Sequence, residues 1–300
     1  MSQKRLTVYL ALLITSIFWG LAPPIIKYTL NYVSYWTFLF YRFFFASIIL
    51  ILPLFFRILK TRPQIKDWPA YFFLGFLATP LNLVLLFAGI AKTTASDAAV
   101  ISVISPMLVI MGGILFLKEK ISKSEQKGIL LILTGAFLTI IQPLLVKNSP
   151  RTDQNVLGNI LVFLGALDWA VFTLLAKNKK LDPFILTAVS FLVGLLFFLP
   201  SALRSWPKLA LPALPGIFYM VVFCSIIAYF TYLYGLSKIP VSEAEIFTYL
   251  QIVFAIPASV IFLHEEISLV FILGAILIIT GVIVSEVRRH QLSGLNQQTL

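Results

Sequence analysis

Apolar residues run along this chain in blocks of about 20, each ended by charged or turn residues. A helix needs about 20 predominantly apolar residues to cross roughly 30 Å of hydrocarbon. The pattern therefore predicts ten membrane helices, over 6–26, 35–56, 68–90, 95–117, 126–146, 156–176, 183–203, 212–236, 241–263 and 267–287, with short connections. A β-barrel would show short alternating segments instead of continuous runs. The expected fold class is thus an all-α polytopic membrane protein. The first block follows Lys4 and Arg5 as a signal peptide's would. It runs on through Trp19, Gly20, Pro23 and Pro24 without a small-residue cleavage site, so it is read as a retained helix.

Composition agrees with that pattern. Of 300 residues, 60% are hydrophobic and only 12% charged, against about half and about a quarter in soluble domains. Disordered, fibrous and disulfide-stapled classes are excluded, since the apolar content is too high, glycine shows no period and Cys224 is the single cysteine. The net charge of +11 would suggest nucleic acid in a soluble chain; here it reports topology. With the N-terminus in the cytoplasm, 16 of the 23 basic residues fall inside and 6 outside, with Arg42 within a helix. That bias predicts a multi-pass protein of the bacterial inner membrane, both termini cytoplasmic, with the lipid bilayer and not nucleic acid as its partner.

The chain also repeats itself. At a constant offset of 146, Phe116, Leu117, Glu119, Ile121 and Ser122 overlie Phe262, Leu263, Glu265, Ile267 and Ser268. The same offset pairs Gly89 with Gly235, Lys92 with Lys238, Ser96 with Ser242, Gly128 with Gly274 and Gly135 with Gly281. Trp19 and Lys27 overlie Trp169 and Lys177 at 150. Residues 1–146 and 156–287 are thus expected as two five-helix units, with 147–155 as linker and 288–300 as a polar cytoplasmic tail. Because five is odd, the second unit enters the membrane from the opposite side. Inverted repeats of this kind underlie alternating access in secondary transporters.

Several of these residues carry a family resemblance. Trp19-Gly20 followed by Pro23 and Lys27, Arg42-Phe43, Pro106, and the doubled Leu-x-Glu-x-Ile-Ser ahead of a glycine resemble the EamA-type members of the drug/metabolite transporter superfamily. In the second unit Ala170 stands where the glycine of Trp-Gly belongs and Ile252 where a proline matching Pro106 belongs. The resemblance implies movement of amino acids, other small metabolites or drugs, mostly outward.

Candidate site residues follow from depth. At 1.5 Å per residue, Asp168 lies about 18 Å into the membrane and Arg42 about 10 Å, where a charge needs a partner, water or a task. Asp168 is either a protonatable coupling or cation-binding group or a structural hydrogen-bond or ion-pair partner, Arg42 being one candidate for the pair. Arg42 is either structural or a ligand for an anionic group. Trp19, Asn82, Ser105, Trp169 and Gln251 lie at about 15–21 Å on the same ruler and could line one cavity. Tyr249, Tyr229 and Tyr232 are weaker candidates. Prolines 23, 24, 80, 106 and 257 make the first, third, fourth and ninth helices the expected cavity walls. An acid at a helix C-terminus opposes the helix dipole. Glu119 and Glu265 are therefore read as gate or loop residues reaching the start of the following helix. Asp97, Glu243 and Glu245 begin helices, where acids are favourable, and are read as structural.

No cofactor or metal is expected: His264 and His290 are far apart, and no P-loop or HExxH motif occurs. An embedded enzyme is therefore disfavoured. The expected function is secondary active export of small, partly apolar metabolites such as amino acids. Proton-coupled organic-cation efflux and sugar-phosphate or nucleotide-sugar exchange are the alternatives. The latter would want several cavity cations, whereas only Arg42 is inside.

Overall fold

The computed structural model describes residues 3–117, 123–145 and 152–298. Every regular element among the described residues is helical. They are α1 (Gln3–Gly20), α2 (Ala22–Thr29), α3 (Tyr35–Thr61), α4 (Trp68–Phe76), α5 (Asn82–Lys92), α6 (Ala95–Ser102), α7 (Ser105–Leu117) and α8 (Lys123–Leu145). After the linker come α9 (Thr152–Asn178), α10 (Pro183–Arg204), α11 (Leu214–Tyr219), α12 (Tyr229–Lys238), α13 (Val241–Ile246), α14 (Gln251–Leu263) and α15 (Leu269–Gln298). Wider π turns over Leu77–Leu81 and Met220–Ala228 join α4 to α5 and α11 to α12. A 3-10 turn over Phe247–Leu250 joins α13 to α14.

Eight of the resulting spans are long and apolar enough to cross a membrane. The other two expected spans are shorter apolar helices among the described residues, Ala95–Val109 and Leu269–Val284. In the first of these the helix is interrupted at Val103–Ile104, ahead of Pro106, whose ring and missing N–H cannot continue the preceding turn. Helix α9 starts at Thr152, so the last residues assigned to the linker are helical; Asp153 in its first turn favours that start.

Lipid as solvent dictates the burial pattern. Phe38, Phe43, Phe87, Phe172, Phe191 and Tyr232 are sealed inside one large cluster, whereas Leu52, Phe55, Phe56, Val253 and Phe262 face outward. A smaller apolar cluster of Val100, Val103, Ile252, Phe271 and Ile278 ties α6 to α14 and α15.

Helix ends are satisfied locally, as a low-dielectric surround demands. Ser34 accepts from the Thr37 amide at the start of α3, and Asp182 accepts from the Phe184 and Ile185 amides with Pro183 opening α10. At the C-terminal ends, the Lys27 ammonium donates to the Ile90 and Thr93 carbonyls at 2.9 and 2.5 Å, and Lys177 donates to those of Leu236 and Ile239 at 2.8 and 2.7 Å. Cations belong there by the dipole argument. Residues matched at offsets of 146 and 150 thus make matching contacts. A second such pair holds α8 along α15. A Cβ on Gly135 would sit 2.6 Å from the Gly274 oxygen, and one on Gly281 would sit 2.7 Å from the Gly128 oxygen. Only glycine allows backbones this close.

Candidate functional site

A cavity lies between the two matched stretches of chain. Broken backbone forms much of its wall. Pro23 and Pro24 follow the α1–α2 break at Leu21, Ser105 and Pro106 follow the break at Val103–Ile104, and Gln251 follows the 3-10 turn. Irregular backbone at membrane depth is tolerated where it lines a cavity. All four expected helices line it, the third through Asn82, although α14 runs unbroken through Pro257; α3, α9 and α12 contribute as well, through Arg42, Trp169 and Tyr229.

Of the sequence candidates, Trp19, Asn82, Ser105, Trp169 and Gln251 line this one cavity, together with Arg42. Trp19 and Trp169 meet edge to face, ring centroids 5.3 Å apart and planes at 88°. Tyr229 and Tyr232 close around both indoles at centroid distances of 5.2–5.7 Å. Such ring pairs are worth about 0.5–1.5 kcal/mol each beyond their buried area. The cluster is pinned at its polar tips. Trp19 Nε1 donates to the Cys224 carbonyl at 3.2 Å, the Tyr229 hydroxyl donates to the Ala78 carbonyl, and the Tyr232 hydroxyl donates to Glu245. Asn82 Nδ2 donates to the Gly165 carbonyl at 2.7 Å and Ser105 Oγ to that of Ala166 at 2.9 Å.

Arg42 is 2% exposed. Its Nε donates to Ser225 Oγ at 2.8 Å, and its guanidinium carbon lies 5.7 and 5.8 Å from the Phe87 and Phe191 ring centres. Its Nη1 has no hydrogen-bond partner. The rings attract the cation, yet one donor edge remains open in a wall residue. Among the described residues no ion pair joins Asp168 to Arg42. Asp168 lies beside Asn82, is outside the cavity lining, and its Oδ2 is buried without a hydrogen-bond partner. Tyr249 is also outside the lining; it packs instead against the cluster that ties α6 to α14 and α15.

Glu245 departs most from expectation. Read as a structural acid at a helix start, it is 1% exposed, lines the cavity and shares the Tyr232 hydroxyl with Thr173, whose Oγ1 is 3.0 Å from that oxygen. Thr248 and Gln251 follow it on the same wall. Spacings of three and six residues put all three on one helical face, and the 146-residue offset sets Thr248 and Gln251 over the lining residues Ser102 and Ser105. Those two patterns were the available signal.

Glu265 does not reach the start of α15, because Ser268 Oγ already accepts from the Phe271 amide there. Its carboxylate instead accepts from the Ala95 and Ser96 amides at 2.6 and 2.9 Å and from Ser96 Oγ at 2.7 Å, bridging the α14–α15 loop to α6. Glu119 lies outside the described residues. Among the described residues no three His, Cys, Asp or Glu gather into a set able to hold a metal ion.

Comparison with known proteins agrees with this architecture. The model of the EamA-like transporter family matches residues 6–141 and again 156–286. An uncharacterized transporter of Archaeoglobus fulgidus is 26% identical over 94% of this chain and 98% of its own length. The uncharacterized transporter YyaM of Bacillus subtilis is 26% identical over 94% of both chains. A solved crystal structure with 14% identity superposes at a TM-score of 0.68 over 95% of this chain and 98% of that one, a likeness of fold. The chain belongs to the EamA-like transporter family.

Proposed function

We propose that the protein is a secondary active transporter of the inner membrane that exports small, partly apolar metabolites such as amino acids by alternating access. The observation that carries this reading is the chemistry of the cavity wall. It offers one guanidinium with an open N–H, one buried carboxylate and a face of indole and phenol rings. Arg42 suits a carboxylate, Glu245 an ammonium, and the Trp19–Trp169–Tyr229 face an apolar side chain. A zwitterion satisfies both charges without leaving either exposed to low dielectric. Arg42 is the one basic residue among the described lining residues, which counts against sugar phosphates and nucleotide sugars.

The ten-span, inverted-repeat architecture belongs to the same proposal. It is supported by the two family-model matches and by the paired lysine caps and paired glycine contacts, which recur at the repeat offset. The two units then enter from opposite sides with both termini cytoplasmic. Proton-coupled organic-cation efflux is a second reading, favoured by the unpartnered Oδ2 of Asp168 and by the Glu245 carboxylate.

Counterflow into proteoliposomes with a panel of amino acids, organic cations and sugar phosphates tests both, with and without a pH gradient. Exchange of neutral amino acids supports the first reading and exchange of organic cations alone the second; exchange of no solute overturns transport of these classes. Asp168→Asn is expected to abolish any stimulation by the gradient. Full gradient-driven rate in that variant overturns a coupling role for Asp168.

A further inference from the structure

A second concave region lies away from the central cavity, where the end of α9, the start of α10 and the end of α12 meet. It is walled by Leu181, Leu186, Leu233 and Leu236 and rimmed by Lys177, Lys179, Lys180 and Lys238. No acidic residue is among its described lining. The nearest acid in sequence, Asp182, is already occupied: it caps α10 and pairs with Arg57 at 2.6 Å. Lys177 is occupied too, by the carbonyls ending α12. The exposed Lys179, Lys180 and Lys238 are left with no carboxylate among the described residues.

Beside it runs an apolar groove on the outer face of the bundle. Pro53 and Phe56 of α3, Phe184 of α10 and Phe230 of α12 line it, with Arg57 and Lys60 at one end. An aromatic ladder links the two regions. Lys238 Nζ lies 5.9 Å from the Tyr234 ring centre, Tyr234 lies 6.2 Å from Phe230, and Phe230 lies 5.9 Å from Phe184. Positions 230, 234 and 238 are spaced four apart, so they share one face of α12. The ladder therefore descends from three unneutralised cations into an apolar trough.

We propose that this rim is a binding site for an anionic phospholipid. Its phosphate is held by Lys179, Lys180 and Lys238, and one acyl chain lies along Tyr234, Phe230 and Phe184 toward Pro53 and Phe56. Charge complementarity selects the headgroup: basic pockets between membrane helices attract anionic lipid at about 1 kcal/mol per lysine near the surface. Zwitterionic lipid offers no net charge to the three ammoniums, and a soluble anion gains nothing from the ladder. The site is independent of the substrate proposed for the central cavity.

The test is native mass spectrometry of the full-length protein in neutral detergent, with equimolar phosphatidylglycerol and phosphatidylcholine of identical chains. At least tenfold more phosphatidylglycerol adduct is expected, falling as salt is raised. The triple variant Lys179→Gln/Lys180→Gln/Lys238→Gln is expected to bring the two lipids within about twofold, since it removes all three attracting charges. Lys208→Gln, an exposed lysine elsewhere, is expected to change nothing. Equal adducts on the wild-type protein overturn the proposal without reference to any variant. So does an unchanged preference in the triple variant, or displacement of the lipid by millimolar inorganic phosphate, which would make the site one for a soluble anion.

Discussion

A guanidinium sealed among rings, with no carboxylate to pair it among the described residues, is costly: the charge has left water, and Ser225 and two aromatic faces compensate in part. If Arg42 were a structural keystone, its removal would leave broken contacts and lower stability. If it awaits an anionic group, its removal relieves a desolvation penalty and costs only function. The open Nη1 favours the second alternative. Arg42→Gln keeps a neutral donor for Ser225 and removes the charge. The expected result is amino-acid counterflow reduced at least tenfold, with a melting temperature in detergent equal to or above wild type. Arg42→Lys is expected to lose activity as well, since an ammonium lacks the planar fork that meets a carboxylate on two sides. A drop in melting temperature of several degrees in Arg42→Gln would assign the residue to structure instead.

Among the elements, helix proximity is set by glycine, and each contact gives a graded expectation. A Cβ on Gly135 would meet the Gly274 carbonyl at 2.6 Å, a backbone atom that can yield only by moving α15. On Gly165, a cavity-lining position, the nearest atom would be 3.5 Å away, an ordinary contact. Gly135→Ala is therefore expected to destabilise by about 1–3 kcal/mol, the usual cost of overpacking, and Gly165→Ala by well under 1 kcal/mol. Thermal unfolding of both variants beside wild type checks the ranking, and equal melting temperatures would refute it. Elements of this kind were largely legible from the chain. Apolar block length marked the spans, because hydrocarbon thickness leaves little choice, and prolines marked the breaks at Pro23 and Pro106. The π turn at Met220–Ala228 was not legible, since it contains no proline. That Glu245 lines the cavity was not legible, because its place at a helix start already accounted for an acid there. Helix α13 ends after six residues, and the 3-10 turn continues the wall past Thr248 to Gln251. Depth alone also could not show that Arg42 and Asp168 fail to meet, for that depends on the rotation of α3 and α9 about their axes.

For the molecule as a whole, the Glu265 carboxylate ties the α14–α15 loop to α6 by holding its first amides, and the later α6 residues Ala99 and Ser102 line the central cavity. An acid on a helix N-terminus is favourable, and hydrogen bonds to charged groups are worth about 1.5–3 kcal/mol each net of hydration. Losing the charge is thus expected to cost this arrangement about 1–2 kcal/mol, roughly a tenfold shift in population. The constant offset gives Glu119 the same position in the first unit. If the units exchange roles in alternating access, the two acids stabilise opposite states. Glu265→Gln is then expected to raise access to the cavity from one side of the membrane, and Glu119→Gln from the other. The sole native cysteine, Cys224, is fully buried, so Ser102→Cys provides a reporter with low background. Its labelling by a membrane-impermeant thiol reagent, applied to right-side-out and inverted vesicles, reads access from each side. Opposite changes of about tenfold in the two variants support exchange between states. Changes in the same direction, or none, would mean that the Glu265 contact fixes a loop and gates nothing.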